Sequence, residues 1–491
     1  MPKRLPAVFL LFISLNAKAG YDMSADCRQA YSNIMAFRLD EGKNEIAQQK
    51  KASPRNLIPI YLEDISAFIK AFALEGKKDY EAFKTENKAS VDALSEGDKT
   101  SPYYNFCLGE TYLHAGLAEL KFGDYTYAAW DIRKAYNLLE ENTRTFPTFY
   151  PAFKDWLLLK SFVGTVPGNY RWMLKILGFE GDLKSSMAQF PILINSLDKN
   201  PEFQVYSKET RMLYGYLEYH LLNEQEPAWK EVTGATIDYT QNPLSAFVRA
   251  NLAMRLKKNE QVIGILDAQV KSQPAIPYLD YLYGLALLQH LNVKGSAYLV
   301  HYLKNNPGDN FIKDAYLRLG WAFLLKNDTV QYKNCLVLLK NYGQARFESD
   351  KNALHEAERD YIPSLPLLKA RLLYDGGYFN EAKKILTSET ISQFRRIEEK
   401  AEYYYRLGRV DESLEDTDAA LKYYDAVIAN YSSVNEYYAP ASCLYAGMLL
   451  EKKQEYGKAR AYYKRCLSFN NYTYKDSFDQ KAYSGLKRMN N

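Results

Sequence analysis

Histidine and cysteine are scarce in this 491-residue chain, with five of each. The histidines stand at 114, 220, 290, 301 and 355, none paired at ligand spacing, and the cysteines (Cys27, Cys107, Cys335, Cys443 and Cys466) are too scattered for a zinc site or a disulfide framework. No His-Glu-x-x-His, Gly-x-Ser-x-Gly or Walker-type glycine loop occurs. His355-Glu356, with Glu358 and Arg359, reads as a solvated helical face in a charge-rich stretch. The paired acids Asp411-Glu412 and Glu415-Asp416 read as the start of a helix, opposing its dipole. These absences leave no catalytic residue, metal or cofactor to assign. Nothing approaches the ~20 apolar residues of a membrane-spanning helix, and strand-like alternation is almost absent.

Tyrosine is abundant: 43 residues, many adjacent, as in Tyr103-Tyr104, Tyr403-Tyr404-Tyr405 and Tyr462-Tyr463. A tyrosine ring packs between helical layers while its hydroxyl reaches a wet rim, so this richness is structural by default. At the start, Lys3 and Arg4, the apolar Leu5 to Leu15 and the small-x-small Ala17-Lys18-Ala19 have the order of a secretory signal over residues 1–19. Cys27 lies too far from Ala19 for a lipid-anchor signal. Loss of Lys3, Arg4 and Lys18 with such a leader lowers the net charge from +4 to +1, which gives no argument for nucleic acid as a partner. Asn327, Asn430 and Asn471 each open an Asn-x-Ser/Thr triplet, relevant only in a host that glycosylates secreted proteins.

One pattern is written twice between Tyr404 and Asn471. Leu407-Gly408 are followed by Ala420, Tyr424 and Val427; Ala446-Gly447 are followed by Ala459, Tyr463 and Cys466. Glycine to alanine is 12 residues in both copies, as it is from Gly116 to Ala128. Small residues at fixed places, with large apolar ones four and seven positions on, suit two antiparallel helices in close contact. The pattern resembles the tetratricopeptide repeat, and the resemblance implies an all-α right-handed superhelix of antiparallel helix pairs. With the small residue of each first helix as a ruler, Gly215, Ala250, Gly284 and Gly320 stand 35, 34 and 36 apart; after a gap of 50 come Ala370, Gly408 and Gly447. The expected organisation is a helical region over 20–200, with one repeat at about 101–143 and an irregular insertion at 146–190. Regular repeats follow over 201–343, an inserted loop or bend over 344–366, and further repeats with a capping helix over 367–491.

A narrower resemblance rests on Ile132-Arg133-Lys134-Ala135-Tyr136 and on Trp172 to Asp182, with its Gly178-Phe179-Glu180-Gly181-Asp182 turn. These residues resemble the tetratricopeptide repeat protein 39 family and its fungal inclusion-body-clearance relatives, best over about 100 to 190. The resemblance implies architecture without catalytic residues. The leader departs from that intracellular family.

In tetratricopeptide repeats the first helices line the concave face that takes ligands. The matching positions here are Tyr216 and His220, Asn251 and Arg255, Tyr281, Arg318 and Trp321, then Tyr405, Arg406 and Arg409, and Tyr445 with Met448. Aromatic, Arg and Asn side chains favour an extended peptide or a partner helix; for any one of them, packing between repeats is the plainer reading. In the same frame Cys443 and Cys466 fall on the two antiparallel helices of one pair, where they could face each other and form a bridge in an oxidising compartment; the alternative reading is two buried small hydrophobes. The expected function is an exported, periplasmic, non-enzymatic scaffold for a protein or peptide partner. The alternatives are an envelope glycan-binding repeat protein and a cell-wall-acting enzyme, which lacks a positioned acid.

Overall fold

In the computed structural model, the described residues are 19–165, 178–234, 238–271, 276–359 and 361–489. Among them the protein is all-α, with no strand; only the isolated bridges Ala19–Gly97 and Gly20–Asn56 pair extended backbone. The chain forms two compact units, one of residues 1–73 and 77–237, the other of 74–76 and 238–491. The expected boundary at residue 200 therefore lies inside the first unit.

The first unit holds α1 (Ala25–Met35), α2 (Leu39–Ala52), α3 (Ile58–Leu74), α4 (Lys77–Ser95), α5 (Pro102–Phe122), α6 (Tyr125–Thr145), α7 (Pro151–Thr165), α8 (Leu183–Lys199), α9 (Ser207–Leu217) and α10 (Gln225–Gly234). The second holds α11 (Pro243–Arg255), α12 (Asn259–Lys271), α13 (Tyr278–Gln289), α14 (Gly295–Asn305), α15 (Ile312–Leu325), α16 (Thr329–Asn341), α17 (Glu348–Ala357), α18 (Leu365–Gly376), α19 (Phe379–Ser388), α20 (Ile397–Ser413), α21 (Thr417–Asn430), α22 (Tyr438–Lys452), α23 (Tyr456–Leu467) and α24 (Lys475–Arg488). Consecutive helices pack as antiparallel pairs, tetratricopeptide fashion, and within each unit the pairs stack.

The repeat ruler has a direct physical basis. A Cβ on Gly408 would stand 2.6 Å from the Tyr424 ring, and one on Gly447 2.9 Å from that of Tyr463. The bare backbone of the first helix thus accepts a tyrosine from the second, and Ala420 and Ala459, both fully buried, let the two axes close. Seven residues beyond each small residue the chain turns over in the left-handed conformation: Gly123, Lys257, Leu291, Asn327, Gly377, Glu415 and Gln454 all have positive φ. Asn223 does so eight residues after Gly215, because Glu218–Leu222 winds as a π-helix and takes up one extra residue.

Two expectations are corrected. The 344–366 stretch is not a loop: it carries α17, packed on α15, and Pro366 starts α18 in the first turn, where a missing N–H costs nothing. The α18–α19 turn then folds against the earlier pair α11–α12. A Cβ on Gly377 would stand 2.1 Å from the Lys257 carbonyl oxygen, and Lys257 Nζ donates to the Tyr374 carbonyl at 2.8 Å. Tyr378 donates to Glu260 on α12 at 2.7 Å, while its ring stacks on His290 at the end of α13 at 4.7 Å. Within 146–190, α7 and the start of α8 are regular helix, while the expected helix Trp172 to Leu177 and most of the leader lie outside the described residues. The Gly178–Asp182 turn is a packed corner. Tyr136 donates its hydroxyl to the Glu180 carbonyl at 2.7 Å, Phe179 meets the same ring edge-on, and Asp182 caps α8 through Ser185 N–H.

Candidate interaction surface

The first helices of the second unit present one residue beyond each small position toward the next pair. On α15 this is Trp321, on α18 Arg371, on α20 Arg409 and on α22 Met448. Trp321 is fully buried; its indole N–H donates to Glu356 on α17 at 2.9 Å. The guanidinium groups of Arg318 and Arg371 lie 4.2 and 4.5 Å from its ring centroid, a cation–π contact for each. Arg371 also pairs with Glu356 at 3.0 Å, and Arg318 with Asp314 at 2.9 Å. Burial works to raise the Glu356 carboxyl, but Arg371 and then Arg359 hold it below its ordinary value.

Arg409 bridges α18, α20 and α22. Its guanidinium is 3.5 Å from the Tyr445 ring centroid and 5.5 Å from that of Tyr374, and it pairs with Glu412 at 2.5 Å. Tyr424 donates to the same carboxylate. A half-buried row of arginine and aromatic side chains follows, charged but internally balanced.

The structure sorts the expected surface residues. Tyr281, Trp321, Tyr405 and Arg406 are buried, a correction to their placement on an open face. Tyr281 donates to Asp314 at 2.6 Å, Tyr405 packs on Tyr437 and Tyr438, and Arg406 is tied to Glu402 one turn earlier. Arg318, Arg409 and Tyr445 are half-buried, and Asn251 is too, its amide bonded to the Phe247 carbonyl at 2.9 Å. Arg255 and Met448 are exposed. Tyr216 and His220 are exposed on the first unit, their rings 4.1 Å apart at the π-turn. Close pair-to-pair packing explains the burial: a large side chain next to the small residue fills the gap between repeats.

Cys443 and Cys466 are neighbours in one apolar cluster, yet both are free thiols, so the expected bridge is not formed. Burial pushes both thiols up, to about 12 for Cys466, which disfavours the reactive thiolate. Asp411 and Glu412 lie in the last turn of α20 rather than at a helix start, and Asp411 pairs with Lys383 at 2.8 Å. The His355 stretch is likewise no solvated face, since Glu356 is buried and Arg359 meets Glu436 at 2.8 Å.

Sequence reasoning missed Arg371, though it sits one residue past Ala370 in the register of Arg409. It also missed a charged cluster in the first unit. Lys154 Nζ lies 3.0 Å from Glu110, 3.4 Å from Asp155 and 2.5 Å from Glu209, while Tyr61 and Tyr31 donate to Glu110 and Glu209. Burial raises the Asp155 carboxyl strongly; for Glu110 burial also works upward, but Lys154 together with its hydrogen-bonding neighbours holds it below its ordinary value. Beside it, His114 meets the fully buried Asp64 at 2.7 Å. The cluster draws on α1, α3, α5, α7 and α9, residues far apart in the chain, and its only local signal is the Lys154-Asp155 pair.

Among the described residues no group of three or more His, Cys, Asp or Glu could hold a metal ion, and no helix is long and apolar enough to cross a membrane. No family model and no curated protein matches the chain, so the narrower likeness to the tetratricopeptide repeat protein 39 family finds no support there. Among solved structures, a tetratricopeptide repeat protein from Parabacteroides merdae is 15% identical, with 57% of this chain and 93% of that one covered at a TM-score of 0.32. The human IFIT1 dimer with m7Gppp-AAAA is 10% identical over 91% of this chain and 90% of that one, at 0.36. These superpositions are too loose to carry a functional argument; the tetratricopeptide-type pairing rests on the helices themselves.

Proposed function

We propose that the protein is an exported, periplasmic, non-catalytic scaffold that binds a protein or peptide on the first-helix face of its second unit. The observation behind this reading is the half-buried row of Arg318, Arg371, Arg409 and Tyr445, backed by buried Trp321 and accompanied by exposed Arg255 and Met448. Arginine, tryptophan and tyrosine dominate protein hot spots because they combine large contact area with directed polar groups. The balanced charge of the row argues for a protein partner over nucleic acid. In the buried cluster Lys154 contacts Glu110, Asp155 and Glu209, while Tyr61 donates to Glu110 and Tyr31 to Glu209, so we read it as a structural lock.

Arg255→Glu with Met448→Glu should reduce recovery of a defined partner from envelope extract by tenfold or more at unchanged melting temperature. Equal recovery would remove this face from the reading. Glycan binding is the second reading, and it gains from Tyr125, Tyr127 and Trp130, which stand 69, 68 and 63% exposed on α6. A glycan array with the wild type and with Tyr127→Ala/Trp130→Ala separates the two: signal lost in the double variant would favour the sugar.

A further inference from the structure

In the first unit the second helix of one pair generally packs on the first helix of the next, as α4 does on α5 and α6 on α7. At the α2–α3 and α3–α4 junctions the backbones approach less closely and side chains make the contact: Lys50 pairs with Glu63, Phe68 packs on Phe83 at 5.9 Å, and Asn87 donates to Asp64 at 2.7 Å. The result is a trough of about 640 Å³ with α3 as its floor and α2 and α4 as its walls. Its lining combines small and aliphatic side chains, notably Ile46 on α2, Ala67 on α3 and Ala82, Ala89 and Ala93 on α4, with charged residues on all three helices. On the floor the Ser66 hydroxyl is buried and has no hydrogen-bond partner among the described residues.

The walls differ in sign. Lys43 and Lys50 stand two helical turns apart on α2, and Asp79 and Glu86 two turns apart on α4. Each wall makes one ion pair with the floor, Lys50–Glu63 at 2.5 Å with both partners exposed and Lys70–Asp79 at 2.8 Å with Asp79 half-buried; pairs so open to solvent are weak and exchangeable. Small floor residues admit a helix backbone closely.

We propose that this trough is a second docking surface, independent of the first-helix face of the second unit, and that it takes an amphipathic α-helix of a partner protein. The guest carries an apolar stripe with acidic residues seven apart on one edge, facing Lys43 and Lys50, and basic residues seven apart on the other, facing Asp79 and Glu86. The walls set its direction, since a reversed guest would meet like charge on both sides. Its stripe lies on the small side chains between α2 and α4, in the helix-in-groove manner.

The test uses a labelled synthetic helix of about 18 residues, matched to the wall length. It bears a leucine stripe, two Glu seven apart on one edge and two Lys seven apart on the other, and binding is read by fluorescence anisotropy. The full chain and a chain beginning at Gly20 should bind it alike. Ala89→Trp, which fills the trough from an exposed position, should weaken binding at least tenfold at unchanged helicity, with Ala82→Trp as the second blocking variant. Lys43→Glu/Lys50→Glu should weaken it about tenfold, and Arg255→Glu/Met448→Glu should leave it unchanged. Failure of the peptide to bind, equal binding by both blocked variants, or equal binding of a peptide with a serine stripe would overturn the proposal. So would binding only after removal of residues 1–19, which would give the trough to the chain's own leader.

Discussion

Glu119, on α5, is only 8% exposed, and its Oε2 has no hydrogen-bond partner among the described residues. Burial, then the charges of Asp131 and Asp124, raise its carboxyl to about 7. A folded-state value above the unfolded one means that stability falls as pH rises from the unfolded value toward 7 and stays reduced above it. Glu119→Gln should therefore raise stability by roughly 2 kcal/mol at pH 8 and leave it unchanged near pH 4. Urea melts at the two pH values check this; a gain of equal size at both would show that charge is not the cause. Arg406→Ala would be a poor probe of binding, because it strands the half-buried Glu402 carboxylate. It should cost about 3 kcal/mol in the same melts. That Arg406 faces inward could not be read from its type or spacing, since Arg409, one turn on, has the same offset pattern and reaches the half-open row.

At the scale of the element, the turns between paired helices separate two costs. Gly123 and Gly377 both have positive φ, but a Cβ on Gly123 meets nothing within 4 Å, whereas one on Gly377 meets the Lys257 carbonyl at 2.1 Å. Gly123→Ala should lose about 1 kcal/mol from left-handed strain alone. Gly377→Ala should lose at least about 3 kcal/mol, because the α18–α19 turn must also lift away from the α11–α12 turn. Similar losses in urea titrations would mean that the contact yields easily. In the opposite direction, exposed Gln454 holds the left-handed turn without being glycine. Gln454→Gly should stabilise the last pair by about 0.5 kcal/mol, read as a higher melting temperature. Helix pairing was legible because small residues recur at fixed offsets. The turn conformation was not, since Lys257, Leu291, Glu415 and Gln454 carry no composition signal for it. α17 escaped notice for a related reason: its charges suggested solvent, while Asp350 and Glu356 are buried by hydrogen bonds to Phe311 N–H and to Trp321.

Over the whole molecule, the leader reading predicts that protein recovered from a periplasmic fraction begins at Gly20 by N-terminal sequencing; a start at Met1 would remove the export reading. The all-α class, the tetratricopeptide-type pairing and the ruler from Gly116 to Gly447 were set by sequence alone. They depend on local periodicity and on side-chain size at helix crossings, which a linear chain displays directly. Only the tertiary structure decided which first-helix side chains stay open and which fill the gaps between pairs. It also decided that Lys257 meets Tyr374, that α2, α3 and α4 line a trough between walls of opposite charge, and that Lys154 gathers three carboxylates. Each of those outcomes depends on how residues distant in the chain share space, and hence on desolvation and pairing that no single stretch of sequence contains.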